Sequence, residues 1–131
     1  MFSHICIGTQ DFERSLAFYR SLMALLGQPE RFCDAEGGMA GWQSAPGPRP
    51  LLVLCRPFEG AHAPGNGQMV ALLAPTRAQV DQAHALALAH GGRCEGAPGL
   101  RPHYHPHYYG TYFRDPDGNK LCVACHEAPS P

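Results

Sequence analysis

The chain has 131 residues, with 10 Lys and Arg against 11 Asp and Glu, for a net charge of −1 at neutral pH. That length suits one ordinary core, and the balanced charge excludes the basic footprint of a nucleic-acid binder. No apolar run approaches the roughly 20 residues of a membrane-spanning helix, and Met1–His4 opens no secretory leader. Of the six cysteines, Cys6, Cys55, Cys122 and Cys125 lie in expected strands among aliphatic residues, without the spacing of a disulfide framework. They are expected as reduced thiols in a cytoplasmic protein.

In chain order, the first strand is expected near residues 2–8. Asp11 then caps a helix whose apolar positions Phe12, Leu16, Tyr19, Leu22, Met23 and Leu26 recur at helical spacing until Gly27. Strands follow near 31–36, 39–44 and 51–56. After a Gly- and Pro-rich loop, another strand is expected near 68–74. Thr76 and Gln79 form a capping box for a second helix carrying Val80, Ala83, Leu86 and Ala87, which stops at Gly91-Gly92. Strands near 93–97, 108–114 and 120–126 complete the chain, and 97–107 is read as a loop.

The two halves share this order at an offset of 65 positions, which lays His4 on Met69, Asp11 on Thr76 and Gly27 on Gly92. The last two strands flank Asp115-Pro116-Asp117-Gly118-Asn119. There Pro presets φ and Gly accepts a positive φ, so a tight hairpin is expected.

This hairpin, Tyr109 to Cys122, resembles the closing hairpin of the vicinal oxygen chelate superfamily, which includes glyoxalases, bleomycin resistance proteins and extradiol dioxygenases. His4-Ile5-Cys6-Ile7-Gly8 followed by Asp11 to Tyr19 looks like that superfamily's first strand and helix. Arg101-Pro102-His103-Tyr104-His105-Pro106-His107-Tyr108-Tyr109 is similar to a bacterial glyoxalase-like subgroup. The resemblance implies an α+β fold over residues 1–131. Two βαβββ modules, about 1–60 and 66–127, would have sheets that curl around a shared cleft, usually in a homodimer.

It also implies chemistry. In metal-using relatives, His and carboxylate side chains in the cleft hold a divalent ion that a substrate's adjacent oxygens chelate. The matching positions here are His4, approximately Cys55, Met69 and Cys122. Met69 stands where a second His is usual and Cys122 where a carboxylate is. A Zn, Ni, Mn or Fe ion would therefore rest on His4 and Cys122. Thiolates beside an imidazole would suit zinc, whereas small apolar filler is the ordinary role of buried cysteines.

Strand alternation puts His4, Met69 and Cys122 on one face if the aliphatic residues face the helices. His4 and His105 are the candidate catalytic groups. His103, His107, Tyr109, Arg101, Trp42 and Met69 are the candidate substrate contacts, the three loop histidines sharing a face if extended. Arg114 is expected to anchor its own hairpin through Asp115 or Asp117.

Two functions stay open. One is a lyase or isomerase acting on a small oxygenated or thiol-conjugated molecule. The other is a non-catalytic protein that sequesters one, as resistance proteins do; kinship to a ring-cleaving dioxygenase is a third reading. No nucleic-acid or membrane partner is expected.

Overall fold

The computed structural model describes residues 1–129. Strand β1 (His4–Gly8), helix α1 (Phe12–Leu25) and strands β2 (Glu30–Asp34), β3 (Met39–Gln43) and β4 (Leu51–Cys55) form one module. Strand β5 (Val70–Leu73), helix α2 (Arg77–Ala89) and strands β6 (Arg93–Leu100), β7 (Tyr109–Arg114) and β8 (Lys120–Cys125) form the second. The first sheet runs β1-β4-β3-β2 and the second β5-β8-β7-β6, so the topology repeats. In each, the first strand of the module pairs parallel to its last strand and the other pairs are antiparallel. The sheets stay open and do not close into a barrel.

The expected caps form. Asp11 accepts from the Arg14 amide at 3.2 Å, and Thr76 and Gln79 complete their capping box. Strand ends shift by a residue or two elsewhere, and β6 differs most: it runs to Leu100 through two irregularities opposite β7, where a loop was expected from residue 97. Gly96, Pro98 and Gly99 permit those bulges while the strand continues.

One core joins both modules on the helix side of the sheets. Phe12, Leu16, Tyr19 and Leu22 of α1 meet Trp42, Leu52 and Leu54, while Val80, Ala83 and Ala87 of α2 meet Leu121, Val123 and Cys125. Phe18 packs edge-on against Phe113 of the second sheet, ring centroids 6.2 Å apart. Among the described residues no helix is long and apolar enough to cross a membrane.

The hairpin turn ties the modules together. Asp115 Oδ1 accepts the Asp117 and Asn119 amides, each at 2.9 Å, which shapes the turn around Gly118 at φ +90°. Asp115 Oδ2 faces module one and accepts the Tyr19 hydroxyl. Asp117 reaches the start of α1, accepting the Gln10 amide at 2.9 Å and the Ser15 hydroxyl. Asn119 Nδ2 donates to the Gly8 carbonyl at 2.9 Å. Burial pushes the Asp117 carboxyl up, but hydrogen bonds from Ser15, Thr9 and Gln10 and the Arg14 charge bring it below the usual carboxylate range. Arg114, expected to hold this turn through Asp115 or Asp117, instead donates to Glu95 at 3.0 Å and to the Gly118 carbonyl at 3.1 Å.

Candidate functional site

The face of the second sheet turned away from the helices carries the densest chemistry. In β7 and β8, Phe113, Leu121, Val123 and Cys125 enter the core, so alternation sends Tyr112, Lys120 and Cys122 to the opposite face. Tyr112 stands directly across from Cys122 in the register.

The segment before β7 is built from two consecutive turns. Tyr104 N–H bonds the Arg101 carbonyl at 3.0 Å and Tyr108 N–H the His105 carbonyl at 3.2 Å, with Pro102 and Pro106 each second in its turn. The segment is therefore not extended, the condition under which His103, His105 and His107 would share one face. The turns leave His103 and His107 exposed and bring Tyr104 and Tyr108 together, ring centroids 4.9 Å apart. The repeated Pro-His-Tyr was the available signal, since Pro favours the second position of such turns.

Tyr108 folds back across Gly110, where a Cβ would lie 2.8 Å from its ring, so only glycine admits this approach. Its hydroxyl lies 3.2 Å from that of Tyr112 and 3.5 Å from Cys122 Sγ. Burial, then the bonds to Cys122 and Tyr112, holds the Tyr108 phenol far above its ordinary range. Burial also raises the Cys122 thiol, against the hydrogen bonds from the two phenols and the Arg101 and Lys120 charges. All three groups keep their protons at neutral pH. Arg101 lies 5.6 Å and Lys120 5.8 Å from the Tyr112 ring centre, so two cations flank the phenols.

Beside this cluster, His105 Nε2 lies 2.8 Å from His126 Nδ1, with the rings stacked. The tautomers follow from a third contact. The His107 amide can only donate, and it reaches His105 Nδ1 at 3.1 Å. His105 therefore carries its proton on Nε2 and donates to His126 Nδ1, leaving the His126 proton on Nε2; this assignment rests on the hydrogen-bond pattern.

The remaining expected residues are dispersed. His4 stands on the open face of the other sheet, its Nδ1 2.9 Å from Ser3 Oγ. Met69, 44 % exposed, precedes β5 and lines a small pocket with Cys6, Gly8, His62 and Lys120. Tyr109, expected to contact substrate, turns to the helix side, donating to Asp81 of α2 at 2.6 Å. Its position at the start of β7 has the parity of Phe113, which strand alternation decides. Trp42 also lies on the helix side, 2 % exposed against Tyr19, and borders a groove of about 570 Å³ between β1, β4 and β5. Tyr112 and Lys120, which the sequence reading passed over, were reachable from the β8 alternation that had singled out Cys122.

The residues present do not fit a resident divalent ion within one chain. Among the described residues no group of three or more His, Cys, Asp or Glu side chains is placed to hold one. His4 and Cys122 lie on different sheets, and Cys122 keeps its proton beneath two phenols.

Comparison with known proteins decides the family. Residues 1–123 match the model of the glyoxalase/bleomycin resistance protein/dioxygenase superfamily. The chain belongs to this superfamily. A glyoxalase/bleomycin resistance protein from Albidiferax ferrireducens is 32 % identical, with a TM-score of 0.82 over 97 % of this chain and 99 % of that one. A lactoylglutathione lyase from Agrobacterium tumefaciens shares the fold at 21 % identity and TM-score 0.64, over 95 % and 92 % of the two chains. So does a glyoxalase/bleomycin resistance protein/dioxygenase family enzyme from Burkholderia phytofirmans, at 18 % identity and TM-score 0.67, over 95 % and 98 %. No match is found among curated proteins. The superfamily's two-module architecture is present here.

Proposed function

We propose that this glyoxalase-superfamily chain binds a small oxygenated, anion-bearing molecule on the open face of its second sheet. The observation that carries this reading is the convergence of two protonated phenols, a guanidinium and an ammonium over a sealed, protonated thiol. Protonated phenols donate to ligand oxygens, and Arg101 with Lys120 supplies the charge complement for a carboxylate. Groups that keep their protons recognise oxygen anions rather than act as nucleophiles or ligate a metal. A binding or sequestering role follows, and the reducing compartment suited to six free thiols is the cytoplasm.

A homodimer completes this reading. Phe2, Met69 and Leu73 are 56 %, 44 % and 70 % exposed around β1 and β5, and a second copy would cover them.

The test is a thermal-shift screen of small mono- and dicarboxylates, 2-oxoacids and lactoylglutathione. At least one should raise Tm in a concentration-dependent way, and Arg101→Ala and Tyr112→Phe should each weaken the shift. No stabilisation by any of them, or shifts indifferent to both variants, would refute the site.

The imidazole pair favours a second reading as a lyase or isomerase. With His105 Nδ1 and His126 Nδ1 both accepting hydrogen bonds, the pair presents the His126 Nε2–H as a general acid for a ligand carbonyl oxygen, the polarisation that enolisation requires. Turnover of lactoylglutathione, the molecule named in the Agrobacterium relative, would support it if His105→Ala abolished the rate while sparing binding.

A further inference from the structure

The first sheet's open face holds a pair of thiols that the reading above leaves unused. β1 and β4 run parallel with Cys6 opposite Val53 and Gly8 opposite Cys55, so the two cysteines stand diagonally on one face. Gly8, the direct neighbour of Cys55, has no side chain to separate them. Both are free thiols, Cys6 exposed and Cys55 partly buried. Burial raises the Cys55 thiol, and the Cys6 thiol beside it raises it further.

Other soft donors stand close by. Cys6 lines the same small pocket as Met69, whose thioether is half exposed, and His62. The His62 ring lies over Gly8, its Nδ1 2.4 Å from where a Cβ would stand. Its tautomer follows from Asn119. The Asn119 amide nitrogen donates to Gly8 O and Asp115 Oδ2, so Asn119 Oδ1 must accept from His62 Nε2 at 3.0 Å. The His62 proton is therefore on Nε2, and Nδ1 offers a lone pair toward the thiol-bearing strand.

We propose that Cys6 and Cys55 form a two-coordinate binding site for a soft monovalent ion, Cu(I), at the edge of the pocket that Met69 and His62 line. A pair of thiols selects soft ions over the oxygen-seeking divalent ones. Two thiolates satisfy Cu(I) without the three-residue cluster that the described residues lack. Binding releases both thiol protons and leaves the ion as a dithiolate complex of net charge −1, with no electron transferred. Affinity therefore rises with pH.

The test is an anaerobic titration of the fully reduced chain with acetonitrile-stabilised Cu(I), against bicinchoninate as competing chromophoric chelator. One Cu(I) per chain should be withdrawn from the chelator. Cys6→Ser and Cys55→Ser should each weaken binding by about a hundredfold or more, and Cys94→Ser, on the other sheet, should leave it unchanged. Far-ultraviolet circular dichroism checks the fold of each variant. Cys6 is exposed, so its serine form provides a folded test even if Cys55→Ser unfolds. Failure to compete with bicinchoninate, or retention of copper at full affinity in Cys6→Ser, would overturn the proposal. Neither result bears on anion binding at the second sheet, whose variants and probes are separate.

Discussion

Replacing Asp117 by Ala should unfold the joint between the modules. In the native chain the Asp11 amide donates to Thr9 Oγ1 at 3.1 Å, the Thr9 hydroxyl to Ser15 Oγ at 2.9 Å, and the Ser15 hydroxyl to Asp117. The relay points one way and terminates on a carboxylate whose side chain is 1 % exposed. Thr9 and Ser15 are fully buried, so water cannot replace the lost acceptor. A hydrogen bond to a charged group contributes about 1.5–3 kcal/mol, and a stranded buried donor forfeits most of that. The Gln10 amide is exposed and rehydrates at smaller cost. The variant should therefore lose about 2–4 kcal/mol, a large share of the roughly 5–15 kcal/mol of an ordinary domain. Its Tm should fall by roughly 10 °C. Urea unfolding followed through Trp42, the single tryptophan, reads this well because Trp42 is buried in the opposite module. A loss below about 0.5 kcal/mol, the level of a surface substitution, would refute the reasoning.

Arg14→Ala is the contrasting control, because the Arg14–Asp117 pair is 3.5 Å long with Arg14 half exposed. It should cost no more than about 0.5 kcal/mol in the same urea titration. The pH dependence has a definite sign. The Asp117 pKa is depressed on folding, so its contribution is complete above the unfolded carboxylate pKa and fades as pH falls through the folded value. Thermal melts between neutral pH and strong acid should show this loss, and Asp117→Asn should flatten that acid limb. With Ellman's reagent, Cys6, Cys33 and Cys94 should react first and Cys55 more slowly. Cys122 and Cys125 should stay silent until denaturant is added. Light scattering on an eluting peak should give twice the chain mass, and Leu73→Glu should shift it to the monomer.

The elements were largely legible because each boundary carried its own local chemistry. Asp11 and Thr76 capped their helices as read, and α1 and α2 begin at Phe12 and Arg77, preserving the offset of 65 positions. Strand parity put Cys122 on the face opposite Leu121, Val123 and Cys125, which enter the core. The site was less legible because its geometry depends on chain reversals. Whether the three histidines shared a face depended on how the loop folded, and its two proline turns leave His103 and His107 in solvent. Tyr109 was read together with its histidine-rich neighbours, although its place in β7 gives it the parity of Phe113 and hence the helix side. The partners of the hairpin acids lie about a hundred residues away, a separation that no local pattern encodes.

The Asp115–Asn119 turn bears on how the family signature is to be used. Each of its polar side chains reaches into module one: Asp115 to Tyr19, Asp117 to Ser15, and Asn119 to Gly8. The motif that reveals kinship is thus a hinge pin between two copies of one architecture. A pin is indifferent to the cargo of the machine it holds together. A chain can keep it intact whatever side chains its sheets present, so the signature reports assembly and leaves chemistry to be read from the sheets on either side.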